Sequence, residues 1–190
     1  MIINYLNKFP ELDPNSYVFK DTTVIGDVKL GKDSSIWFRS VVRGDVNSIV
    51  IGERTNIQDN STIHVTTELF PTHIGNEVTI GHNVVIHGSI LEDRVLIGMG
   101  AVILDGCHIG KNSIIAANSV LLGGTKVPAG VLVAGNPGKI KRDLTEAELI
   151  HLERSASNYV KYSRNYLTYS EDSIYSSDEI KVILETLKKL

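Results

Sequence analysis

The chain has 190 residues, with 19 Lys and Arg against 22 Asp and Glu, and a formal net charge of -3. With no basic excess and no basic block it is not built to bind nucleic acid by neutralising phosphates, and no apolar run reaches the roughly 20 residues of a membrane helix. Its single cysteine, Cys107, rules out an internal disulfide and a cysteine-rich metal knuckle.

Hydrophobic residues at 42% and charged residues at 22% are an ordinary globular mixture. Only 4 Phe and 1 Trp accompany 16 Gly and 6 His, so the core must be built repetitively from aliphatics. The N-terminal stretch MIINYLNKFPELDP has neither the basic start nor the apolar run of a secretory signal. A soluble cytoplasmic protein is expected.

From Val24 an aliphatic residue recurs every six positions, through Leu30, Ile36 and Val42. Three extra residues (Ser48 to Val50) precede Ile51, Ile57 and Ile63, and a five-residue excursion (Leu69 to His73) precedes Ile74, Ile80 and Ile86. One step is a residue short, giving Leu91, and the series then runs unbroken from Ile97 through Ile103, Ile109, Ile115, Leu121 and Val127 to Val133. Gly often follows the aliphatic (Gly31, Gly52, Gly75, Gly81, Gly98, Gly110), and a small or β-branched residue stands four places after it, from Ser34 and Ser40 to Cys107 and Thr125.

An amphipathic helix repeats at 3.6 residues and a half-buried strand alternates. Period six predicts short strands meeting at tight corners, with each coil of three hexapeptides closing a three-sided prism. The aliphatic column fills the prism, the small column takes the remaining inward slot, and Gly suits corners that need unusual φ.

The pattern changes after Asn136-Pro137-Gly138. Residues 1–138 are therefore read as a β-helix domain and 139–190 as a C-terminal helical extension, lying on the β-helix or on a neighbouring subunit. Lys139 to Arg142 reads as a solvated exit. Thr145 with Glu148 forms a capping box ahead of a helix expected over 144–167, and Ile180, Ile183, Leu184 and Leu187 mark a second helix.

Folding the sequence by this phase places Arg43, His64 and His87 on one face in consecutive coils, following Val42, Ile63 and Ile86. Adjacent parallel strands lie about 4.8 Å apart, so His64 and His87 can share a metal. His82 follows Ile80 on a different face, one coil after Gln58, and only packing one subunit's first face against the His82-bearing face of another brings it to the pair. Three imidazoles plus water is the composition of an open zinc site. Cys107 reads as a buried filler, His108 and His151 as surface residues, and Trp37 with Phe38 as packing at a coil face or trimer contact.

The segments VVRGDV, NIQDNSTIH and IGHNVVIHG resemble the γ-class carbonic anhydrases, a trimeric branch of the hexapeptide-repeat proteins, with the repeat covering about residues 18 to 138. The resemblance implies an all-β left-handed parallel β-helix with C-terminal α-helices. It also implies zinc (with Fe2+ or Co2+ as alternatives) held by His64, His82 and His87, the middle ligand coming from a neighbouring subunit of a homotrimer. Arg43, Asp45, Asn56, Gln58 and Asp59 match the family's polar residues at the interface and metal water, with an interface ion pair at Arg43 and Asp59. Tyr159 is the match for a site tyrosine, with Tyr162 a competitor.

The implied activity is attack of zinc hydroxide on carbon dioxide to give bicarbonate, with Gln58 orienting hydroxide or substrate. Well-known active members carry a glutamate where this chain has Val46, and a longer acidic loop after the first ligand; here VTTELFPT offers only Glu68 and His73 as proton relays. The exit sequence VPAGVLVAGNPGKIKR also resembles hexapeptide acyltransferases, so action on an acyl-coenzyme A, as acyltransferase or thioesterase, is the alternative, with a non-catalytic trimeric scaffold as a third reading.

Overall fold

The computed structural model describes residues 1–188. Period six becomes a parallel β-solenoid in which most strands are only two or three residues long. Its first face registers Val24, Val42, Ile63, Ile86, Ile103 and Leu121. Its second registers Leu30, Ile51, Ile74, Leu91, Ile109 and Val127. Its third runs from Val18 through Ile36, Ile57, Ile80, Ile97 and Ile115 to Val133. These three columns meet in one continuous buried core, and each fully buried aliphatic contributes roughly 1.5–3 kcal/mol relative to exposure.

The irregularities in the phase have separate structural outcomes. The three extra residues are absorbed by the long strand Val41–Ile51, which turns a corner alongside the similarly bent Thr23–Leu30. The excursion becomes a loop between strands Thr62–His64 and Thr72–Ile74, pinched by a bridge between Thr66 and Phe70.

The corner glycines act differently from expectation. Most residues with positive φ in the solenoid lie three places after the aliphatic, and many are not glycine: Asp33, Arg54, Glu77, Arg94 and Asn112 form one such column. Their side chains pair along the corner, Arg54 with Glu77 at 3.2 Å and Arg94 with Asn112 at 2.7 Å. The glycines directly after the aliphatic are demanded by close approach between coils. A Cβ on Gly31 would stand 2.5 Å from the Gly52 carbonyl oxygen, and one on Gly98 would stand 2.4 Å from the Ala117 nitrogen.

The small-residue column is also more than filler in the early coils. The Ser34 hydroxyl donates to the Gly52 carbonyl and accepts from the Thr55 N–H, and Thr55 repeats this with Gly75 and Val78 one coil later. Ser40 and Ser61 build the same ladder at the next corner. These hydroxyls satisfy backbone groups that would otherwise be buried without partners. Cys107 occupies the column farther along, 1% exposed, and burial pushes its thiol pKa up.

Beyond the solenoid, Lys139–Asp143, expected as a solvated exit, is exposed along its whole length and pairs as an antiparallel strand with Val131–Ala134. The helix expected over 144–167 spans Glu146–Tyr169 (α1), with the Thr145–Glu148 capping box in place. A helix of 24 residues rises about 36 Å, the height of roughly seven stacked strands, and α1 runs back along its own solenoid. Leu152, Ala156 and Val160 are buried, and the helix touches the third-face strands Ser35–Ile36, Asn56–Ile57 and Thr79–Ile80. The second helix, α2 (Ser177–Leu187), buries Ile180 and packs near Ile2–Ile3. No helix among the described residues is long and apolar enough to cross a membrane.

Candidate metal centre

His64 and His87 are register partners in adjacent parallel strands. Their inward neighbours Ile63 and Ile86 are fully buried, which leaves both imidazoles on the outer surface of the first face. His64 Nδ1 lies 2.9 Å from His87 Nε2. The other nitrogen of each ring meets a carboxylate: His64 Nε2 is 3.0 Å from Asp45 Oδ1, and His87 Nδ1 is 2.7 Å from Asp105 Oδ1. Arg43 pairs with the remaining oxygen of Asp45. Burial works to raise the Asp45 carboxyl, but hydrogen bonds from His64 and Arg43 outweigh it and hold the pKa below the ordinary value. Asp105 is also held down, by His87 and Thr66 against the same desolvation.

The third face carries a second cluster. His82 stands just past Ile80, with Nδ1 2.8 Å from Asp59 Oδ2. Both line a hollow of ≈ 220 Å³ whose walls are Trp37, Phe38, Tyr159, Tyr162 and Tyr166. Trp37 stacks on Phe19 at 4.5 Å between ring centroids, and Tyr159 meets it edge-on at 5.4 Å. Burial pushes the Tyr159 phenol pKa up, and the Asp59 charge adds to the shift. On the outer side of this face, covered by α1, Gln58 Nε2 donates to Asn56 Oδ1 at 3.0 Å, and Asn56 donates to Thr79 Oγ1 at 3.1 Å. Thr79 reaches Ser155 of α1, so Asn56 and Gln58 are tied to the helix.

Within one chain, then, the structure brings His64 to His87 and His82 to Asp59, Tyr159 and Tyr162. It does not bring the two groups together, and no three His, Cys, Asp or Glu converge on a metal position among the described residues. Arg43 and Asp59, expected as a pair, belong to different faces and each has another partner in its own chain. Glu68 is exposed at the tip of the 65–71 loop, and His73 is exposed on the second face.

Two repeat models match: bacterial transferase hexapeptide (six repeats) over residues 88–123, and hexapeptide repeat of succinyl-transferase over residues 48–88. The carbonic anhydrase of Geobacillus kaustophilus is 38% identical over 94% of this chain and 98% of its own length. The chain belongs to the γ-carbonic anhydrase-like family of hexapeptide-repeat proteins. Mitochondrial gamma carbonic anhydrase 2 of Arabidopsis thaliana is 40% identical over 99% of this chain, which spans 68% of the plant protein. Among solved structures, a hexapeptide transferase family protein from Anaplasma phagocytophilum superposes with a TM-score of 0.85 at 40% identity, covering 88% of this chain and 98% of that one.

γ-Carbonic anhydrase-like membership raises the question of zinc, and the donor set fits it. A metal-bound imidazole gives one nitrogen to the ion and donates the other N–H to a carboxylate or carbonyl, which fixes the tautomer. All three candidate ligands have that arrangement here: Asp45 behind His64, Asp105 behind His87 and Asp59 behind His82. Asp105 and Thr66 escaped the sequence reading, as did Tyr166 and the meeting of Trp37 and Phe38 with the site tyrosines beside His82. The register that pairs His64 with His87 sets Ile86 against Ile103, so Asp105 falls one residue past the position facing His87. An aspartate before Gly106 at a corner reads as a turn residue, which hides it.

Proposed function

We propose that the chain assembles as a homotrimer in which His64 and His87 of one protomer and His82 of the next bind zinc, and that this centre interconverts carbon dioxide and bicarbonate. The observation that carries the reading is the carboxylate behind each of three histidines that sit on two different faces, in a chain of this family. Fe2+ and Co2+ suit the same imidazole donors.

When bound, the metal acts as a Lewis acid that makes a water molecule nucleophilic near neutral pH. The chain's own residues then have separate tasks. Asp45, Asp105 and Asp59 hold the imidazole N–H groups, and Arg43 anchors Asp45. Gln58, fixed by Asn56, is the hydrogen-bonding group for water or substrate. Trp37, Phe38 and Tyr159 give the His82 side an aromatic wall that limits access of bulk water. Val46, 39% exposed, occupies the position of the usual relay glutamate, so the proton leaves to solvent and buffer, with Glu68 the acidic group on the neighbouring loop.

Metal analysis of anaerobically purified protein, coupled to stopped-flow hydration at varied buffer concentration, tests this. About one metal per chain and a rate that rises with buffer are expected. Full occupancy with no rate above buffer sinks the hydration activity. Acyl transfer predicts one indispensable histidine, whereas this site predicts three. Tight acetyl-coenzyme A binding by calorimetry, undisturbed in His64→Ala and His82→Ala, would turn the assignment to acyl transfer.

A further inference from the structure

We propose that Asp105, braced by Thr66, is a positioning residue that selects which nitrogen His87 presents to the metal; the proposal rests on the zinc reading above. Imidazole has two chemically distinct nitrogens, and a hydrogen bond at one decides the role of the other. With Nδ1–H donated to Asp105 at 2.7 Å, the lone pair of His87 resides on Nε2, the atom 2.9 Å from His64. Asp105 is itself oriented: the Thr66 hydroxyl donates to the same Oδ1 at 2.7 Å.

The loop over residues 65–71 is built around this contact. Thr66 and Phe70 exchange backbone hydrogen bonds across it, and the Thr72 hydroxyl donates to the His64 carbonyl at 2.6 Å. Phe70 packs down onto two glycines in successive coils. A Cβ on Gly88, where φ is +52°, would stand 2.3 Å from Asp105 Oδ1 and 2.6 Å from Phe70 Cβ. A Cβ on Gly106 would stand 3.1 Å from the Phe70 ring. Gly88 thus clears room for both the carboxylate and the residue that pins the loop. The phase-breaking excursion in the repeat delivers Thr66 to Asp105.

The fold contains its own control. On the second face Glu92 Oε1 meets His108 Nε2 at 2.8 Å, a similar carboxylate–imidazole contact without a register-paired second histidine. The test measures zinc affinity by chelator competition and the visible spectrum of cobalt-loaded protein, both on the full trimeric chain. Asp105→Ala is expected to weaken zinc binding by about 10- to 100-fold and to shift the cobalt bands, with Asp105→Asn and Thr66→Val giving smaller losses. Glu92→Gln is expected to change neither readout. If Asp105→Ala does not fold, the isosteric Asp105→Asn carries the test. Zinc affinity and cobalt bands equal to the parent's in a folded Asp105 variant overturn the proposal alone. A parent chain that binds no zinc overturns the metal reading and this proposal together.

Discussion

The two halves of the candidate centre are made by different means. On the first face, His64 and His87 face each other because parallel register puts them there, over the fully buried Ile63 and Ile86. On the third face, His82 is placed by the solenoid, but the wall beside it is Trp37 and Phe38 against tyrosines that α1 brings back from the far end of the chain. One half is a property of the repeat itself; the other needs a tertiary contact. The largest prediction breaks the halves apart genetically. His64→Ala and His82→Ala are each expected to lose bound metal almost completely. Co-assembled one to one in a threefold ring, they should regain about a quarter of the parental sites, because one interface in four joins an intact first face to an intact third face. No recovery from verified mixed trimers would show that the halves do not meet between chains.

Core substitutions should separate the halves by stability. Trp37→Ala removes the ring shared by Phe19, Tyr159 and Tyr166 and is expected to cost about 3–5 kcal/mol. Hydrogen exchange should show α1 losing protection while strand Val85–His87 keeps it. Ile63→Ala leaves a void inside the prism for about 2–5 kcal/mol, and the cost should appear in both halves, because neighbouring coils share that core. If α1 stays as protected in Trp37→Ala as in the parent, the aromatic cluster does not hold the helix.

The same division explains what the sequence made legible. Phase alone yields the three aliphatic columns, the His64–His87 pair and the separate face of His82, since all follow from counting residues along a regular coil. The capping box at Thr145 and Glu148 is likewise local. Asp105 and Thr66 were hidden because their contact crosses coils through one short step and one excursion, where counting loses register. The meeting of Trp37 and Phe38 with Tyr159 was hidden because nothing in the period says which face α1 covers. The glycine column misled for a third reason: its constraint is backbone of the next coil, 2.5 Å from an added Cβ at Gly31, which a local rule about φ does not contain.

The smallest effect concerns how α1 is fastened at its start. Glu148 is gripped by two hydrogen bonds from Arg142, at 2.7 and 2.8 Å, and by the Thr145 N–H and hydroxyl. Arg142 first, and then Thr145, holds its pKa at about 2 against an ordinary 4.5. Since the folded value is the lower one, the stabilisation is complete above pH 4.5 and disappears as pH falls through about 2. The pair lies at the protein surface, so the effect is local and weakens in high salt. Helical ellipticity followed in acid is expected to show a small step in that window, reduced by salt and absent in Glu148→Gln. An identical acid profile in that variant would mean that the first turn of α1 is secured elsewhere, by contacts such as buried Leu152 and the Thr79–Ser155 hydrogen bond.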